Sequence, residues 1–253
     1  MKKLLLVLVI LGLVVCLMPG CTPTVPSEGE GEGEGEVEGE TEEVSRVVLV
    51  EIFMADGCST CAVIEPYLEQ LAEEYGTDEM ILAEVAVWGK YSSPENYDRF
   101  KWYFPSSAGT PYTSFNGLNQ TVTGNSSYSV LKSKVDSELA KTARIAITAT
   151  RSSTTSLTTI TGTIQNISTS AMSNLIINGM IFKNHGELGF NYSVSDIFEE
   201  KKIEVSSLAP EESYEYTITL ESFNWDGNQA EGVIFVQSPN SYKKEILQAF
   251  YIK

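Results

Sequence analysis

The chain has 253 residues, with 34 acidic and 17 basic side chains, one histidine and four cysteines, and a formal net charge of −17 at pH 7. Without a basic patch, so acidic a chain excludes a nucleic-acid-binding surface. A single histidine leaves no plausible Ser-His-Asp set, and no phosphate-cradling glycine loop is present.

In chain order, residues 1–20 read as a secretory signal, with Lys2 and Lys3 ahead of an apolar run from Leu4 to Met18. A run of about 15 apolar residues is short for a transmembrane helix, which needs about 20. Gly20-Cys21 at its end resembles a prokaryotic lipoprotein cleavage site. That resemblance implies that Cys16 leaves with the signal and that Cys21 becomes the lipid-modified first residue. An uncleaved N-terminal anchor is the other reading. Both tether the protein to a membrane and place its body outside the cytoplasm.

From Ser27 to Glu43 glutamate and glycine alternate, and this stretch holds nine of the 34 acidic residues. Like charges and glycine entropy predict an extended tether over residues 21–45. Much of the net charge is therefore a linker property, and no cationic partner follows from it. About 208 residues remain, enough for two small domains, with a change of texture near residue 143.

In the first unit, 46–142, Val47 to Phe53 is nearly continuous in apolar residues, as expected of a strand buried on both faces. Cys58-Ser59-Thr60-Cys61 follows and opens a helix-like run from Ala62 to Tyr75. A dithiol at a helix start is a redox geometry, because the helix dipole and the terminal amides favour a thiolate at the first cysteine. The helical stripe is Val63, Tyr67, Leu71 and Tyr75 beside Ile64, Leu68 and Ala72, with Glu65, Glu69, Glu73 and Glu74 outside it. Pro66 is expected to kink this helix. A second strand is expected over Met80 to Trp88 and a second helix over Pro94 to Phe104. Gly109-Thr110-Pro111-Tyr112 to Phe115-Asn116-Gly117 reads as an X-Pro turn, a short strand and a hairpin turn.

The strand before C-x-x-C, the proline five residues after its second cysteine and the Thr-Pro opening a strand that ends in Phe-Asn-Gly together resemble a thioredoxin-like domain. The resemblance implies that Cys58 is the attacking thiol, Cys61 the resolving thiol and Pro111 a cis proline beside the dithiol. It further implies that Thr110 offers backbone hydrogen bonds to a substrate strand and that Ser129 to Ala143 forms the closing helix. Glu51 resembles the buried acid that assists proton transfer, and a solvated strand-end residue is its other reading. Gly57 and the Ser59-Thr60 pair depart from the family pattern. Zinc is not expected, because four ligands are needed and no further cysteine remains after the signal and the lipid site are set aside. No metal and no cofactor is expected. A purely structural disulfide stays open as the rival reading, although so small a loop adds little stability.

The second unit, 143–253, is rich in Thr, Ser, Ile and Val. Strands are expected over Arg144 to Arg151, Thr158 to Ile167, Leu175 to Phe182, Lys202 to Val205, Tyr214 to Leu220, Gly232 to Gln237 and Ile246 to Tyr251. Seven short strands with turn residues between them predict an antiparallel β-sandwich. Leu208 to Tyr216 is a turn feeding an alternating strand, common in immunoglobulin-like modules. The whole chain after the linker resembles surface lipoproteins, labelled outer-membrane proteins, that join a thioredoxin-like domain to such a sandwich. His185 reads as a solvated turn residue and Trp225 as core.

The expected fold class is an α/β thioredoxin-like domain plus an all-β antiparallel, immunoglobulin-like sandwich. The expected function is a membrane-tethered, extracytoplasmic thiol–disulfide oxidoreductase whose partners are disulfide-containing or dithiol proteins. The alternative is a surface binding or scaffold lipoprotein with an inert disulfide.

Overall fold

A near-continuous apolar run makes β1 (Val48–Ala55) the spine of a mixed sheet in the computed structural model, which describes residues 44–185 and 190–253. The signal segment, Cys16, Cys21, the Glu/Gly spacer and Gly186 lie outside the described residues. β1 pairs in parallel with β2 (Met80–Trp88) and antiparallel with β3 (Tyr112–Phe115), which in turn pairs with β4 (Gln120–Thr123). Asn116, at φ +50°, sits in the connection from β3 to β4. Its Oδ1 accepts the Leu49 N–H at 2.9 Å and its Nδ2 donates to Val47 O at 3.2 Å, so an amide side chain continues the ladder.

Side chains alternate across a strand, and β1 therefore feeds two cores. Val48, Val50, Ile52 and Met54 pack with α1 (Cys61–Tyr75) and α3 (Tyr128–Leu139). Leu49 and Phe53 face α2 (Pro94–Tyr103) through Phe100 and Tyr103. Ser93 caps α2 by accepting the Asn96 N–H at 3.1 Å, with Pro94 in the first turn where its missing N–H costs nothing. Pro66 lies inside α1, which runs as one element to Tyr75.

Beyond α3 the chain is all strand: β5 (Ile145–Ser153), β6 (Leu157–Asn166), β7 (Met172–Lys183), β8 (Ser193–Ile197), β9 (Ile203–Leu208), β10 (Ser213–Glu221), β11 (Glu231–Gln237) and β12 (Ile246–Ile252). β10, β6 and β5 form an antiparallel sheet. It packs over β7, β11 and β12 through Ile145, Ile160, Ile164 and Ile218 against Ile177, Ile234 and Leu247. Trp225 is buried in that core at 1% exposure. The protein is thus β-rich, with three helices among the described residues and both mixed and antiparallel sheets.

Residue 143 marks the change from α3 to β5, but the segments on either side are not separate bodies. β8 pairs antiparallel with β7 and, at Ser193 opposite Glu84, in parallel with β2. One sheet therefore runs β12-β11-β7-β8-β2-β1-β3-β4 across both, and the described residues form one compact unit. Arg46 adds a second tie. It bonds Glu138 of α3 at 3.4 Å, Glu245 at 3.3 Å and the carbonyl oxygens of Ile246 and Leu247, each at 3.2 Å. β8 escapes the sequence reading because it is five residues long and half polar, and pairing with β2 and β7 makes it a strand. Among the described residues no helix is long and apolar enough to cross a membrane.

Candidate functional site

Cys58 and Cys61 are joined by a disulfide, with Cα atoms 5.2 Å apart. The helix starts at Cys61, and Cys58 lies in the preceding turn, where Gly57 takes a φ of +69°. Thr60 at the helix N-cap makes no side-chain cap. The Cys61 N–H instead lies 3.1 Å from Cys58 Sγ, so sulfur stands where a capping oxygen would and takes one of the orphan donors of the first turn. Cys58 is half-buried, whereas Cys61 is 1% exposed and belongs to the core under α1.

Thr110 meets the same sulfur from the other side. Its hydroxyl lies 3.5 Å from Cys58 Sγ and can donate to it, and its carbonyl oxygen lies 3.8 Å away. The Thr110–Pro111 peptide bond is cis, and Pro111 is buried. The structure thus brings together Cys58, Cys61 and the Thr110–Pro111 turn that enters β3.

Glu51 does not join them. Strand parity puts it on the α2 face of β1, opposite the face that packs on Cys61. There its carboxylate pairs with the Arg99 guanidinium and accepts the Tyr103 hydroxyl at 3.0 Å, all three being buried. Burial opposes the Arg99 charge, but Glu51 outweighs it and holds that pKa above its ordinary value. Burial pushes the Tyr103 phenol up. Gln237 of β11 donates to the Tyr103 hydroxyl at 2.7 Å and closes the network.

A different glutamate lines the cavity beside the disulfide. A cavity of about 430 Å³ is lined by Gly57, Cys58, Cys61, Glu65, Tyr91 and Phe190, among others. Glu65 is 7% exposed, so the expectation that it lies outside the helix stripe is corrected, while Val63 and Tyr67 are 44% and 37% exposed. The buried face is Cys61, Ile64, Glu65, Leu68, Leu71 and Ala72. Burial raises the Glu65 pKa, partly offset by the Phe190 N–H that it accepts at 2.8 Å. Glu84 of β2 is fully buried, and burial pushes its pKa up to about 8, against the Tyr192 N–H it accepts at 2.8 Å and with the help of Glu65 and Glu69.

Sequence reasoning missed Glu65, Tyr91 and Phe190 as parts of this site, and Glu84 as the buried acid beside Glu65. Glu65 had a signal, since it lies four residues beyond Cys61 on the same helix face. Glu84 had one too, as the sole acid in the apolar run from Met80 to Trp88. His185 is also corrected. It is half-buried and stacks on Tyr91, with ring centroids 3.7 Å apart, and Tyr91 meets Phe190 edge-on at 5.3 Å. Chain from beyond residue 143 thus forms one wall of the cavity beside Cys58.

Fold and site define a β-rich protein carrying a C-x-x-C disulfide at the start of a helix. No protein-family model and no curated protein matches the chain. Among solved structures, HBP35 of Porphyromonas gingivalis matches with a TM-score of 0.66 at 17% identity, over 82% of this chain and 74% of that one. At that level the likeness speaks for a shared fold. A domain of the outer membrane lipoprotein Omp28 from Porphyromonas gingivalis matches at 14% identity over 44% of this chain and 88% of that one, with a TM-score of 0.32. MTB dsbF, in mixed oxidized and reduced forms, matches at 19% identity over 37% of this chain and 82% of that one, with a TM-score of 0.27. These two likenesses are too slight to carry an argument.

Proposed function

We propose that this chain is a membrane-tethered, extracytoplasmic thiol–disulfide oxidoreductase, thioredoxin-like over residues 46–142 and an immunoglobulin-like sandwich over residues 143–253. Cys21 carries the lipid, and residues 21–45 are the tether. The observation that carries the reading is the unequal placement of the two sulfurs. Cys58 is half-exposed in a cavity with Thr110 at its Sγ, and Cys61 is closed off beneath it.

In the reduced pair, the Cys58 thiolate attacks one sulfur of a substrate disulfide and expels the other as a thiolate. The Cys61 thiolate then attacks Cys58 Sγ, closes the Cys58–Cys61 bond and releases the second substrate thiolate. Two electrons pass from the pair to the substrate, and the reverse sequence oxidises a substrate dithiol. The Cys61 N–H and the Thr110 hydroxyl lie where they donate to the Cys58 thiolate, which lowers the cost of holding that charge. The Thr110–Pro111 turn receives the extended substrate segment, and the partners are disulfide-containing or dithiol proteins.

The second reading is a surface scaffold with an inert bridge. Gly57, the Ser59-Thr60 pair and the wall that Tyr91 and Phe190 raise beside the sulfurs favour it. One experiment separates the two, and it uses the full chain because 46–142 shares its sheet with the rest. In the oxidoreductase, Cys58→Ser abolishes turnover of a model disulfide while Cys61→Ser traps a mixed disulfide on Cys58. If both variants lose some stability and neither traps anything, the scaffold reading stands.

A further inference from the structure

Three carboxylates converge between α1 and β2. Glu65 and Glu69 come from successive turns of α1 and Glu84 from the middle of β2, and each brings an oxygen within 4.8 Å of the others. Three successive residues of the strand-entry segment hold them in place. The Phe190 N–H donates to Glu65 Oε1 at 2.8 Å, Asn191 Nδ2 to Glu69 Oε1 at 2.5 Å and the Tyr192 N–H to Glu84 Oε2 at 2.8 Å. Glu84 Oε1 is fully buried without a hydrogen-bond partner. The groups that act on Glu65 and Glu84 are other carboxylates and one backbone amide each, with no cationic side chain among them.

Three carboxylates with a desolvated, unpartnered oxygen, and no ion pair to a cationic side chain among the described residues, form a candidate cation site that is empty. The donors are all hard oxygens, which suit Ca²⁺ or Mg²⁺ over zinc or copper. Coordination habit chooses between those two. Ca²⁺ takes several carboxylate oxygens directly in a flexible geometry, whereas Mg²⁺ demands a near-ideal octahedron, keeps several waters and is usually held by only one or two carboxylates. Glu65 also lines the cavity beside Cys58, which gives an ion and its waters a path in.

We infer that Glu65, Glu69 and Glu84 bind one Ca²⁺, with Glu84 Oε1 as the innermost ligand. The ion ties α1 and β2 to the 190–192 segment, and so fixes Phe190 in the wall beside Cys58. The site is independent of the redox reading and stands or falls without it.

The test is a CaCl2 titration of the chelator-treated full chain, followed by calorimetry and by thermal unfolding, with MgCl2 in parallel. The expected result is one saturable Ca²⁺ site and a Tm rise of about 5 °C or more at a hundredfold excess over Kd, with a smaller response to Mg²⁺. Glu84→Gln, which keeps the shape and removes the ionisable carboxyl, and the half-exposed Glu69→Gln should each abolish that saturable site while unfolding cooperatively in chelator. The acidic linker is intact in both variants, so calcium binding that survives in them belongs to the linker and overturns the assignment. An unchanged Tm and no heat in the wild-type chain at 10 mM Ca²⁺, or a Mg²⁺ response equal to that of Ca²⁺, overturns it as well.

Discussion

The Thr110 hydroxyl and Cys58 Sγ lie 3.5 Å apart across 52 residues of sequence, because the cis-linked Thr110–Pro111 turn enters β3 beside the start of α1. Once the disulfide is reduced, that hydroxyl is a donor to the Cys58 thiolate. A hydrogen bond to a charged group is worth about 1.5–3 kcal/mol, which corresponds to about a tenfold or larger change in an equilibrium. Thr110→Val should therefore slow iodoacetamide alkylation of reduced Cys58 about tenfold at neutral pH. In both proteins Cys58 should label before the buried Cys61. Equal rates in Thr110→Val and wild type would remove Thr110 from the site.

Glu51 separates stability from chemistry. It is buried with Arg99 and Tyr103, so Glu51→Gln strands the guanidinium charge and should cost about 3–5 kcal/mol in urea unfolding. Because Glu51 faces α2, the alkylation rate of Cys58 should stay at the wild-type value. A drop in that rate, with little loss of stability, would support the proton-relay role.

Glu84 should make stability fall as the solution becomes more alkaline. Its folded pKa of about 8 lies above the ordinary 4.5, so between those values the native chain holds a proton that the unfolded chain releases. Its favourable contribution is complete below about pH 4.5 and is lost as the pH rises through about 8. A tenfold difference in proton affinity between the folded and unfolded chain corresponds to about 1.4 kcal/mol. Glu65, raised in the same direction by burial, adds to the slope. In chelator, the urea midpoint should be lower at pH 8.5 than at pH 6, and Glu84→Gln should flatten the difference. A midpoint that rises between those values would contradict the assignment.

Phe190 is 8% exposed and packs in the same core as Cys61 and Ile64. Truncating a buried phenylalanine costs about 3–5 kcal/mol, with the lower end fitting a residue that lines an open cavity. Phe190→Ala should therefore lose about 3 kcal/mol and let a small dithiol reduce Cys58–Cys61 faster. Slower or unchanged reduction in a folded variant would show that Phe190 does not shield the sulfurs.

Local patterns carry much of this structure. The apolar runs at Val47 to Phe53 and Met80 to Trp88 are strands because only a doubly covered sheet buries so continuous a sequence. The expected strands after residue 143 are all present to within a few residues at their ends, and β4 and β8 are additional. Both of those are short and polar, so their ladders come from their neighbours and not from their own side chains. The α1 stripe departs from its pattern for a similar reason. Periodicity ranks residues by apolarity, and it points Val63 and Tyr67 inward where the helix in fact turns Cys61 and Glu65.

By itself, the sequence determined the dithiol, its place before a helix and the Thr-Pro turn, because each depends on residues close together in the chain. Only the tertiary structure decided which acid lies near the sulfurs. Glu51 and Glu84 are both lone carboxylates in apolar strands, and the side of the sheet that each one faces settles its role. Glu51 meets Arg99 and becomes a buried ion pair, whereas Glu84 meets Glu65 and Glu69, with no ion pair to a cationic side chain among the described residues. Strand parity and the pairing of β8 with β2 fix that difference. They act through residues far apart in the chain, beyond the reach of any local pattern.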